Sequence, residues 1–315
     1  FKTTLYRMKP AVQARVQYSK ARALGVGSRR GSRLFSAGTS VRAVRVRAAA
    51  MTTDVSVESL RLSISQIASS TNRGELLFPS AAYKPLDEYH RPTRERLVSL
   101  LETLETIQTE AGPVKAESLN GEWELLVATK QLFRSSPFFM AIQNAFGDAQ
   151  SFGQSSSELF FRLHELQVKS WGLSTIGRVA QRIDVTEEAV FESYFDTIIF
   201  SLTVIPIVGW WKLLPTFGGR VVTLSDKLRF DESTGELAME VATTEVVEAP
   251  GVPLIPLKLD RLLMNRKYPV RSVWQFLPWN KGPPKASSFV TYCDGSMRVM
   301  KDSAGEFFVY VRPLE

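Results

Sequence analysis

Gly121-Glu122-Trp123-Glu124-Leu125-Leu126-Val127 is the stretch whose reading decides the fold. Before it, apolar residues recur at helical spacing. Here the period drops to two, with Trp123, Leu125 and Val127 on one face and Glu122 and Glu124 on the other. That alternation marks a strand with one buried and one solvated side. The two carboxylates therefore read as solvent-facing rather than as an acid–base pair.

Working outward, Val57, Leu60, Ile64 and Ile67 mark one amphipathic helix, and Leu97, Leu100, Leu101, Leu104 and Ile107 a second. The second is expected to start after Pro92 and to stop at the breaker pair Gly112-Pro113. Residues 51–115 read as a helical prefix and residues 116–315 as a β domain. Within that domain Ser136, Pro137 and Gly147 have the chemistry of an N-cap, a first helical residue and a residue past the end. They frame a short apolar helix carrying Phe138, Phe139, Ile142 and Phe146. A further helix is expected over 158–168. Strands are expected over 176–183, 189–200, 222–230, 237–241, 289–292, 296–300 and 307–311. The turn Asp231-Glu232-Ser233-Thr234-Gly235 makes the third and fourth of these a hairpin. Repeated short strands in antiparallel order predict a mainly-β antiparallel β-barrel with an N-terminal helical prefix and short inserted helices.

The net charge of +7 is unevenly distributed over the 315 residues. Residues 1–50 hold 12 of the 39 Lys and Arg and no acid, which leaves 27 − 32 = −5 for the rest. This Arg-, Ser- and Ala-rich leader has the composition of an organelle transit peptide, and a basic arm for nucleic acid is the alternative. The apolar run 197–211 is about fifteen residues long and contains Pro206. A spanning helix needs roughly 20 apolar residues, so a buried strand followed by a loop is the expected structure. Cys293 is the only cysteine, which excludes an intramolecular disulfide, and His90 and His164 are the only histidines, which makes a His-based metal site unexpected. No metal is expected. The chain lacks a Gly-x-Ser-x-Gly elbow, a phosphate loop and His-Glu-x-x-His, and is not expected to be an enzyme.

Several segments resemble one family in the same order. Gly121-x-Trp123 resembles the lipocalin-type opening. Arg134-Ser135-Ser136-Pro137-Phe138-Phe139 resembles the segment after the first strand of plastid fibrillins, the plastid-lipid-associated proteins. Ile176-Gly177-Arg178-Val179-x-Gln181-x-Ile183-Asp184 is similar to the second-strand pattern of that family. Thr291-Tyr292-Cys293-Asp294-Gly295-Ser296-Met297-Arg298-Val299 resembles its Thr-Tyr-Leu-Asp-x-x-Leu-Arg-Ile motif, and Glu306-Phe307-Phe308-Val309-Tyr310-Val311 its closing strand. Met300-Lys301-Asp302 departs from the usual Ser-Arg-Gly, and Cys293 stands where Leu is usual. The resemblance spans 119–312. It implies a lipocalin-like barrel in the plastid (chloroplast), at plastoglobules, on thylakoids or in the stroma. It also implies binding or shielding of an apolar lipid ligand such as a prenyl-lipid or carotenoid, with no cofactor otherwise. A non-catalytic accessory to a prenyl-lipid biosynthetic enzyme or to photosystem assembly, acting through a protein partner, is the alternative.

Trp123 is either a plug at one barrel end or a ligand contact. Gly121, Arg178, Asp294 and Arg298 are expected at the barrel rim, with Asp294 and Arg298 forming an ion pair or a turn cap. Phe138, Phe139, Ile142 and Phe146 form a lid over the barrel mouth, dip into lipid, or simply pack. Between residues 250 and 293, Arg266, Lys267, Arg271 and Lys281 alternate with Trp274 and Trp279. That composition suits an anionic lipid surface, a solvated loop or single-stranded nucleic acid; the membrane surface is the partner expected, and nucleic acid is not. Trp210 and Trp211 form a second candidate anchor.

Overall fold

The computed structural model describes residues 56–79, 88–147, 149–151, 154–170, 174–186, 189–199, 217–250, 265–276 and 282–313. The leader and most of the apolar run 197–211 lie outside the described residues. Among the described residues no helix is long and apolar enough to cross a membrane.

Eight strands among the described residues close into an antiparallel barrel. They are β1 (Gly121–Ala128), β4 (Ser174–Asp184), β5 (Val190–Ile199), β6 (Phe217–Asp231), β7 (Glu236–Val247), β8 (Lys285–Cys293), β9 (Met297–Lys301) and β10 (Phe307–Val311). From β4 to β10 each strand pairs with its chain neighbours, and β1 pairs with both β10 and β4 to close the ring. Closure gives every barrel strand a hydrogen-bonded neighbour on each side. The result is a lipocalin-like up-and-down barrel. A two-residue ribbon, β2 (Gln150–Ser151) with β3 (Gln154–Ser155), stands apart from it.

Trp123 and Leu125 face the barrel interior, but Val127 does not share their face. A bulge between Leu125 and Val127 shifts the register and turns Val127 outward. There it meets α1 (Val57–Ser70) and α2 (His90–Ala111), which lie on the outside of the β1, β8, β9 and β10 wall. Ile64, Leu97, Leu101 and Leu104 are fully buried against Tyr292, Met297, Val299, Phe307 and Val309. Each such side chain contributes about 1.5–3 kcal/mol of apolar burial. This cover explains why Phe307-Phe308-Val309-Tyr310 reads as a continuous apolar run: the strand is buried on both faces.

The helical layer is also stitched to the wall by polar contacts. Arg73 donates to the carbonyls of Gly177 (2.7 Å) and Ile176 (2.8 Å), and Lys301 donates to Glu105 (2.7 Å). Gly74, at φ +90°, lets the turn approach β1 so closely that an added Cβ would fall 1.9 Å from the Ala128 carbonyl oxygen. α2 begins at His90 rather than after Pro92. Pro92 falls in the first turn, where backbone N–H groups have no helical acceptor, so its missing donor loses no bond.

Candidate functional site in the barrel interior

One barrel end is closed around Trp123. Its indole Nε1 donates to the Leu119 carbonyl at 2.8 Å, and the Arg312 guanidinium carbon stands 3.9 Å from the ring centroid. Arg312 in turn donates to the carbonyls of Gly295 (3.1 Å), Glu122 (3.3 Å) and Ser118 (3.3 Å). Gly121 sits at φ +106°, and a Cβ there would be 2.4 Å from the Arg312 Nη1. Gly121-x-Trp123 thus makes room for an arginine that locks the plug. No local pattern in the sequence marks Arg312 for this role.

Deeper in the barrel lies a polar cluster. Arg298 is wholly buried. It does not stand at the rim, and it does not pair with Asp294. The β8–β9 turn sends the two side chains different ways: strand alternation points Arg298 inward beside Tyr310, its register partner on β10, while Asp294 stays in the turn. The guanidinium carbon lies 4.5 Å from the Tyr310 ring and 4.9 Å from the Trp123 ring. Its Nη2 donates to Gln181 Oε1. Gln181 Nε2 donates to the Tyr310 hydroxyl (2.7 Å) and to the Ser135 carbonyl (3.1 Å). Burial brings the Arg298 guanidinium down to about 10 and pushes the Tyr310 hydroxyl up to about 12, so at neutral pH the first is charged and the second is not. Among the described residues Arg298 Nε and Nη1 have no acceptor, and the hydroxyls of Ser193, Ser225 and Ser288 have no hydrogen-bond partner. Thr223 adds one more buried hydroxyl opposite Ser193, and apolar inward positions include Leu125, Val179, Phe191, Leu237 and Met239.

The opposite end of β8, and the β9–β10 turn, are covered by α3 (Pro137–Phe146). Phe139 and Ile142 are buried in the interior core, with Phe138 and Phe146 packed against it. Ser136 is the residue before α3, but its hydroxyl makes no cap bond. α4 (Ser156–Ser170) supports α3 through a cluster of rings in which Phe133, Phe139 and Phe160 contact His164 and Phe161 packs against the same three phenylalanines. Burial lowers the His164 imidazole below its usual value. Arg134 clamps these pieces together: it donates to Glu158 (2.7 Å) and Gln143 (2.7 Å), lies 3.5 Å from Asp302, and stands 4.3 Å over Phe161.

The other expected rim residues serve the wall. Asp294 Oδ1 accepts from the backbone amides of Ser296 (3.0 Å) and Met297 (2.9 Å), and its Oδ2 accepts from Arg61 and the Tyr292 hydroxyl. It is a turn cap. Burial alone would push this carboxyl up, but Tyr292, Arg61 and the two amides hold it down at about 2. Arg178 lies on the outer face, donating to Glu124 (2.9 Å) and Glu122 (2.8 Å). Glu122 and Glu124 are therefore partners in an ion-pair network.

Of the expected membrane-facing residues, Arg266 and Lys267 are exposed. Arg271 is partly neutralised by Asp226. Trp274, at the end of α5 (Val270–Trp274), is only 2% exposed and packs edge-on to Phe138, so it belongs to the interior core rather than to the surface. The helical turn carries it inward and leaves Val273 and Phe276 outside, the latter 79% exposed. Trp210, Trp211, Trp279 and Lys281 lie outside the described residues.

Cys293 contacts the Ser118 carbonyl at 3.6 Å, whereas His164 is held in its ring cluster. Among the described residues no group of three His, Cys, Asp or Glu forms a metal site. Comparison with protein-family models, curated proteins and solved structures gives no match.

Proposed function

We propose that the chain is a non-catalytic lipid-associated barrel that holds one apolar small molecule in the plastid, at a plastoglobule or thylakoid surface. The observation that carries this reading is the closed eight-stranded barrel, locked at the Trp123 end and covered at the other by the apolar helix α3. A barrel of eight strands encloses either packed side chains or one small ligand. The plastid location rests on the composition of residues 1–50 and on the ordered motif resemblance. Arg266, Lys267, Tyr268 and Phe276 pair exposed cations with exposed rings, a combination suited to an anionic headgroup layer.

The test combines two measurements on the full chain. Titration with a short-chain prenylquinone should quench tryptophan emission saturably, near one equivalent per chain, through Trp123 and Trp274. Flotation with vesicles of anionic plastid lipids should carry the protein upward. Non-saturable quenching would reject the interior site. Failure to float, with saturable quenching, would move the protein to the stroma as a partner-assisted carrier.

A further inference from the structure

A buried arginine is normally paired, because an uncompensated charge in a low-dielectric interior costs several kcal/mol. Arg134 follows that rule, with Glu158, Gln143 and Asp302 around it. Arg298 does not. Among the described residues no carboxylate lies within ion-pair distance of it, one amide oxygen serves Nη2, and Nε and Nη1 have no acceptor. The rings of Trp123 and Tyr310 offset part of the cost through cation–π contact. They accept no hydrogen bond from the guanidinium.

The described surroundings of Arg298 supply one amide acceptor, neutral hydroxyls and a second cation, and no negative charge. Gln181 ties it to the Tyr310 hydroxyl, and Ser193, whose hydroxyl is also unpartnered, is the cross-strand neighbour of Gln181. The nearby Arg312 is committed to three carbonyls. Beyond this cluster the inward positions include Leu125, Val179 and Leu237. Among the described residues the interior thus presents an uncompensated positive charge at the plugged end, and beyond it a mainly apolar lining interrupted by the small hydroxyls of Thr223, Ser225 and Ser288.

We propose that Arg298 is the headgroup site for a monoanionic amphiphile, a carboxylate-bearing lipid whose apolar tail lies among the inward side chains beneath α3. A single positive charge matches a carboxylate better than a phosphate dianion. This rests on the reading of the barrel as a ligand carrier and narrows it to one ligand class.

The probe is cis-parinaric acid, compared with its methyl ester, on the full chain and on the Arg298→Gln variant. The wild type should bind the acid about tenfold or more tightly than the ester, as expected for charge-assisted hydrogen bonds. Arg298→Gln should abolish the preference, bringing acid and ester to similar affinity, while Arg298→Lys keeps part of it. The ligand-free Arg298→Gln protein should melt no lower than wild type, because it sheds an uncompensated charge. Equal binding of acid and ester by the wild type overturns the headgroup assignment alone and needs no variant to read. Retained acid preference in a folded Arg298→Gln protein overturns it too. Failure of both probes to bind overturns the carrier reading with it.

Discussion

The Arg312 guanidinium lies 3.9 Å from the Trp123 ring centroid while donating to the carbonyls of Gly295, Glu122 and Ser118. One side chain thereby joins the end of β10 to the β8–β9 turn and to the entry of β1. Arg312→Ala should destabilise the fold by about 1–2 kcal/mol, through loss of a partly exposed cation–π contact and of charged hydrogen bonds. Urea denaturation checks this.

Gly121→Ala should act through the same lock. The added Cβ meets Arg312 Nη1 at 2.4 Å and the backbone is at φ +106°. A loss of at least about 1–2 kcal/mol is expected. In the double variant with Arg312→Ala the steric part should vanish, so the two effects should not add.

Arg134→Ala should loosen α3. It removes the cation facing the buried Asp302 carboxylate and the donor to Gln143 Oε1, while Asp302 keeps the amides of Ala304 and Glu306, a change expected to cost about 2–3 kcal/mol. Amide exchange over α3 and α4 should rise more than exchange over β8 to β10. Equal change everywhere would show that the clamp is not local.

Acid stability should depend on Asp294. Its carboxyl is held at about 2 in the folded state, against an ordinary value of 3.8. A depressed carboxyl stabilises the fold above its unfolded value, and that contribution is lost as the pH falls from about 4 toward 2. Asp294→Asn should be less stable than wild type at neutral pH and should lose less over this acid window. Thermal melts across the window report the difference.

The barrel was legible from alternation, and the α3 helix from Pro137 and Gly147, because both signals are local. Val127 was misplaced because a bulge leaves no mark in an apolar triplet such as Leu125-Leu126-Val127. Arg298 and Asp294 looked like a pair because sequence spacing is blind to which side of a wall a strand residue faces. The basic neighbours of Trp274 give its segment an interfacial look; its burial depends on packing against Phe138, more than a hundred residues distant in the chain. Arg312 and the role of Gln181 were invisible for the same reason: their partners come from other strands and turns.

The surface reading singles out Phe276 and Arg266. Phe276→Glu and Arg266→Glu should each reduce flotation with anionic vesicles and leave ligand titrations unchanged, since both residues are exposed.

The most direct measurement is organic extraction and mass spectrometry of the folded protein purified from its native compartment. The account predicts about one apolar molecule per chain, bearing a single acidic group. A folded protein that yields no stoichiometric small molecule would contradict it.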